Sequence, residues 1–403
     1  MENVKEKDHL PNPPEGILRF RKIPLRIRIL HRIDDFIDDI NWLHVAFKIC
    51  AFSYIAFLSF IAWQVLPLPG HWTRPGQADK IPITYQDFST YFAPFEGDAQ
   101  CNIKATDLYT PPPRNELGQY DYNAFCSTRK SLLSSMSNGG RIGFDTPYTP
   151  ADCHHRWYTT TEICMILERF DAVVFVGDES LRTIYDGLNI LLRQDLAAGT
   201  LKAWEMEKDT LDACRCNAQF TTPACASHKV TSSHEVTFNT PSIATSYVCS
   251  RFPHALLRID GFPASSDVVK RFTKLVPRVP RSNYRPVPII HSLSPSTAST
   301  PAASDSLLQF LTLADSSKRK TPMLWIGPTA AGHIDIKGRK GNQEIWDFDS
   351  EMAHAAAKND VEVLKMWNMT VQASSFDGLH FGEKVAITQA MMVVNWLSRL
   401  ESS

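Results

Sequence analysis

Ile49 to Leu66 reads ICAFSYIAFLSFIAWQVL, eighteen residues without a charge. A run of that length has two destinations: the hydrocarbon of a bilayer, or the interior of a large core. As a helix it spans about 27 Å, close to a bilayer's apolar thickness. Residues 45–47 extend it, and Lys48 can snorkel its ammonium back to the headgroups. Trp63 and Trp72 at the far end suit a membrane interface. A cleaved leader fits less well, because the run starts deep in the chain and PLPG at 67–70 offers no small-x-small site. Residues 19–48 carry seven Lys or Arg, and residues 67–96 carry two. That bias keeps the N-terminus cytosolic and sends the rest of the chain to the far side. The layout expected is a single-pass, type II signal anchor.

Cysteine placement is a separate test of sidedness. Nine are present; Cys50 lies in the apolar run, and Cys101, Cys126, Cys153, Cys164, Cys214, Cys216, Cys225 and Cys249 all follow it. Eight is even, as disulfides in an oxidising lumen require, with the connectivity left open. Zinc is the rival reading. The only tight spacing is Cys214-Arg215-Cys216 and no CxxC pair occurs, so no metal set is expected. Asn368-Met369-Thr370 is a glycosylation sequon, usable only on a lumenal side.

The expected organisation is a cytosolic tail over 1–44, the anchor over 45–66, a proline-bearing stem over 67–100 and a folded lumenal body over 101–403. With 42 basic against 43 acidic residues, the chain has no general field for a polyanion, and nucleic acid is not an expected partner. The partners expected are a lipid bilayer, through one helix, and a glycan.

Within the body, strand and helix patterns alternate. Residues 171–176 (DAVVFV) form a continuous apolar run that reads as a buried parallel strand. Leu181, Ile184, Tyr185, Leu188, Leu191 and Leu192 then share one helical face. Further strands are expected over 286–290, 323–326 and 361–364, and a helix over 348–358. Ile387, Ala390, Met391, Val394 and Leu397 close the chain on a helical stripe. The stretch 294–306 (SPSTASTPAASDS) reads as a low-complexity loop, a candidate for O-glycosylation. Such alternation predicts an α/β fold, a parallel sheet covered on both faces, with disulfide-bearing insertions over 101–165 and 210–250.

Ligands of such sheets gather at the carboxyl ends of the strands. Two segments fit that rule. In Gly177-Asp178-Glu179-Ser180 the glycine permits a sharp bend, and the helix that follows offers N–H groups to a developing oxyanion. In Asp377-Gly378-Leu379-His380 the carboxylate can fix the imidazole's tautomer while the other ring nitrogen faces a nucleophile. Each has a plainer reading, Asp178 or Ser180 as a helix cap and Asp377 as a turn residue.

Strand-Gly-Asp-turn-helix early, with Asp-x-x-His before the last helix, resembles the SGNH (GDSL-type) hydrolases, and most closely the PC-esterase branch. That branch includes the trichome-birefringence-like polysaccharide O-acetyltransferases and the Golgi sialic-acid and capsule O-acetyltransferases. RWYTTTEIC at 156–164, Arg169-Phe170-Asp171, GLNILLR at 187–193, WIGPTAAGH at 325–333 and AMMVVNW at 390–396 resemble fungal members. The resemblance covers residues 150–400. It implies a flavodoxin-like three-layer α/β/α domain that moves or removes acyl groups on glycans in the Golgi. It implies no bound cofactor, and an acetyl donor such as acetyl-CoA if the protein is a transferase. Ser180, His380 and Asp377 are the catalytic set it implies, with Gly177, Asp178 and Glu179 as the oxyanion turn.

One departure stands out. The family places Ser directly after Gly-Asp, whereas this chain has Glu179 there and Ser180 one residue later. One residue is about 100° of helical rotation, enough to move a hydroxyl by several ångströms. Three readings follow: Ser180 acts after a shift of the turn, Glu179 acts itself, or the domain binds glycans without turning them over. Arg182 and His333 are further candidates for substrate contacts. Gly261 and Asn342 are the nearest candidates for the remaining oxyanion partners.

Overall fold

In a computed structural model, the structure describes residues 42–65, 87–116, 118–239, 247–249, 252–278, 284–334 and 340–401. The expected tail up to residue 41 and the expected stem up to residue 86 lie outside them. The chain divides into two compact units, 1–84 and 85–403. In the first, the apolar run forms a helix over Trp42–Val65. Its side chains are described for residues 46–59, and Phe47, Ile49, Phe52 and Ile55 among them are exposed. Among the described residues no helix is long and apolar enough to cross a membrane.

The second unit is an α/β body around a five-stranded parallel sheet. Its strands are β1 (Val173–Gly177), β2 (His254–Arg258), β3 (Ile289–Ser292), β4 (Met323–Ile326) and β5 (Glu362–Leu364). The spatial order is β2-β1-β3-β4-β5, every neighbour parallel. Register pairs Val173 with His254, Val174 with Ile289, Ile290 with Leu324, and Trp325 with Val363. The main helices are α1 (Arg129–Asn138), α2 (Thr160–Leu167), α3 (Glu179–Arg193), α4 (Ser266–Leu275), α5 (Thr300–Ser316), α6 (Asn342–Lys358) and α7 (Glu383–Ser398).

Strand alternation builds two cores. Val173, Phe175, Leu256, Ile290 and Leu324 face a layer that includes α2, α3 and α7. Val174, Val176, Leu257, Ile289 and Trp325 face Phe272 of α4, Phe310 of α5 and Met352 of α6. With both faces covered, the strands carry apolar residues on both sides, which is why DAVVFV shows no period-two pattern.

Four expectations change. The body begins well before Cys101: Phe88, Tyr91, Phe92 and Phe95, spaced on one helical face, are buried in the first core. Strand β2 is an addition; its apolar stretch is only Ala255 to Leu257, flanked by polar residues and a proline. The expected loop 294–306 is helical from Thr300, because Ser299 stands at the N-cap and Pro301 in the first turn, where its missing N–H costs nothing. Helix α6 starts at Asn342, six residues earlier than its apolar pattern.

All eight body cysteines pair, Cys101–Cys216, Cys126–Cys153, Cys164–Cys249 and Cys214–Cys225. They sit in the two insertions expected to carry them. Cys214 and Cys216, separated only by Arg215, take separate partners, one local and one 115 residues away. Four disulfides fit an oxidising, secretory-pathway compartment.

Candidate active site

The strand order reverses direction between β1 and β3, so their carboxyl ends leave a crevice at that switch point. The crevice is a cavity of about 540 Å³ lined by the β1–α3 turn, the loop after β3, the loop after β4 and the loop before α7.

Gly177 ends β1, and its role differs from a bend. A Cβ there would stand 2.4 Å from the Ser292 carbonyl oxygen, so only glycine allows β1 and β3 to lie this close. Asp178 follows as the N-cap of α3, 4 % exposed. Its Oδ1 accepts from the Ser180 backbone N–H (3.0 Å) and hydroxyl (2.9 Å). Its Oδ2 accepts from the Ser294 backbone N–H (2.7 Å) and hydroxyl (2.6 Å). One carboxylate therefore clamps the two loops of the switch point together. The backbone N–H groups of Ser180 and Ser294 are both committed to Asp178 and so are not free for an oxyanion.

Glu179 and Ser180 both line the cavity. The Glu179 carboxylate lies 3.3 Å from Nη1 of Arg258 at the end of β2. Ser180, one residue on, holds its hydroxyl on Asp178, and no hydrogen bond among the described residues joins it to His380. The opposing wall carries His380, whose Nδ1 is 2.6 Å from Asp377 Oδ2. Asp377 also accepts from the backbone N–H groups of Leu379 (2.9 Å) and His380 (2.7 Å). Gly378, at φ 75°, supplies the left-handed residue that lets this loop turn back on itself. Partial burial alone would push the Asp377 carboxyl up, but the hydrogen bonds from His380 and Leu379 outweigh it and hold it below the ordinary range. An ionised Asp377 fixes the proton on Nδ1 and leaves Nε2 as the basic nitrogen. Beneath the turn, His291 is fully buried, stacked on Trp325, and burial drives its pKa down to about 3, so it stays neutral.

The remaining candidates go elsewhere. Arg182 does not reach the cavity: its Nε bonds Asp186 (3.0 Å), which also holds Lys229 Nζ (2.7 Å), a buried ion triad against α3. His333 is exposed and meets the edge of Phe144. Gly261 lines a separate hollow near Arg258, and Asn342 bonds the backbone of Ala331. At the sequon, the half-buried Asn368 donates from Nδ2 to Ser137 O (3.0 Å), and the buried Thr370 hydroxyl donates to Met366 O (2.8 Å).

Cavity residues that sequence reasoning missed include Ser294, Pro328 to Ala330, Ile345 and Gln389. Ser294 was within reach of the switch-point rule, since it follows a recognised strand. The others become neighbours only through the sheet order. Comparison of the chain with protein-family models, with curated proteins and with solved structures found no match.

Proposed function

We propose that this cavity carries out acyl-ester chemistry on glycans, as an O-acetyltransferase or acetylesterase of SGNH type. The observation that carries the reading is His380, held by Asp377, lining the same cavity as Ser180. The strand order supports it, being that of flavodoxin-like folds with the ligand crevice at the switch point. Rotation of Ser180 about χ1 releases its hydroxyl from Asp178. Oγ then attacks the acyl carbon, His380 Nε2 takes the proton, and that proton leaves with the departing alcohol or thiol. The acyl-serine passes its acyl group to water in an esterase or to a sugar hydroxyl in a transferase, with acetyl-CoA as a suitable donor. The body is lumenal in this reading, held to a Golgi-type membrane by the 45–66 segment.

A second reading is favoured by one specific feature, the commitment of both Ser180 donors to Asp178. In it the domain binds a glycan without turnover. A serine-reactive fluorophosphonate probe separates the two. Labelling of the wild-type chain that disappears in Ser180→Ala is expected for the acyl enzyme; absence of labelling in the wild type sinks it. Glu179→Ser restores the family order, and a rise in acetyl-ester hydrolysis in that variant identifies an eroded nucleophile position.

A further inference from the structure

Gln389 lies on α7, nine residues beyond His380, and is 1 % exposed. Neither its Nε2 nor its Oε1 has a hydrogen-bond partner among the described residues. Two other polar side chains buried along α7 are partnered: Thr388 donates to Lys384 O (2.9 Å), and Asn395 donates to Arg156 O (2.7 Å). Glu383 shares the lack of a partner, but it lines a different hollow of about 270 Å³. Gln389 alone of these lines the cavity that His380 and Ser180 line. A buried carboxamide with both its donor and its acceptor unpaired destabilises the fold, so its presence there calls for a partner that the protein does not supply.

The partner's chemistry follows from the wall. A carboxamide offers one donor side and one acceptor side in a plane, matched by a secondary amide that accepts through its carbonyl and donates through its N–H. An ester has no donor and would leave Oε1 unpaired. Ala330, Ile345 and Phe381 line the same cavity and are apolar, which suits a methyl group beside that amide. We propose that Gln389 reads an acetamido group, so that the glycan bound in this cavity carries an N-acetylated sugar. The inference rests on the reading of the cavity as the glycan site and adds the substrate class.

The test is equilibrium binding to the full chain of two β-1,4-linked tetramers, one of N-acetylglucosamine and one of glucose. The wild type is expected to hold the N-acetylated tetramer about tenfold more tightly or better. Gln389→Leu and the more nearly isosteric Gln389→Met are expected to erase that preference, bringing the affinity for the N-acetylated tetramer down to that for the glucose tetramer. Equal affinities in the wild type, binding of neither tetramer, or a preference that survives in both variants would overturn the assignment. Fluorophosphonate labelling reads the acyl chemistry separately. Labelling without an acetamido preference removes the Gln389 assignment alone, and a preference without labelling removes the acyl chemistry alone.

Discussion

Glu383 begins α7 with its backbone N–H on Asn217 Oδ1 (3.0 Å) and both carboxyl oxygens unpartnered. Burial, reinforced by the charge of Asp195, raises its pKa from 4.5 to about 8. The folded protein therefore keeps a proton that the unfolded chain has already released at neutral pH. The stability this group contributes is full below the unfolded value and is lost as pH rises toward the folded one. Thermal melts of wild type and Glu383→Gln between about pH 5 and pH 8 should diverge, the wild type losing ground as pH rises. Parallel pH profiles would show that the carboxyl is solvated. At this scale the sequence was informative where chemistry is local. Asp377 and His380 are three apart, and their hydrogen bond needs only one turn of loop. The partners of Asp178 were invisible, because Ser294 reaches it across 116 positions through the pairing of β1 with β3. Arg182 misled for a related reason: a helix position says which face a side chain takes only once the neighbour of that face is known.

Helices α3 and α7 pack directly against each other in the first layer, and Gly187 sets their approach at the crossing. A Cβ at 187 would stand 2.2 Å from Ala386 O. On an exposed helix, Gly→Ala gains about 1 kcal/mol from propensity. Here Gly187→Ala should instead destabilise by about 1–3 kcal/mol, since a packed crossing must open; denaturant titration measures the sign directly. Helix α7 also explains why its sequence pattern under-described it. The apolar stripe predicted one buried face, yet fourteen of its sixteen residues are buried, the polar ones among them included. A helix enclosed on all sides has no wet face to reveal its orientation, and periodicity then loses its meaning. The strands were legible in proportion to their apolar length. DAVVFV stood out, while β2 has three consecutive apolar residues and draws its strand character from lying beside β1.

For the whole molecule, the α/β class was readable from alternation alone, but strand order was not, because periodicity carries no information on which strands become neighbours. The cysteine count likewise established that pairing was to be expected and left the partners open. The Cys101–Cys216 bond ties the first insertion to the second across 115 residues. Replacing both with serine should lower stability by about 3–5 kcal/mol, read as a drop in the denaturation midpoint under non-reducing conditions. Loss of the local Cys214–Cys225 bond, which spans 11 residues, should cost less.

Cys249 is the last cysteine of the given sequence, whereas β2 to β5 and His380 all lie after it. During synthesis, every thiol therefore emerges before four-fifths of the sheet exists to arrange them. Pairings made at that moment are drawn from a chain without its scaffold, and exchange through mixed disulfides is what delivers the final set. Maturation of this protein should thus depend on an isomerase acting after the last residue is made, rather than on an oxidant acting during translation.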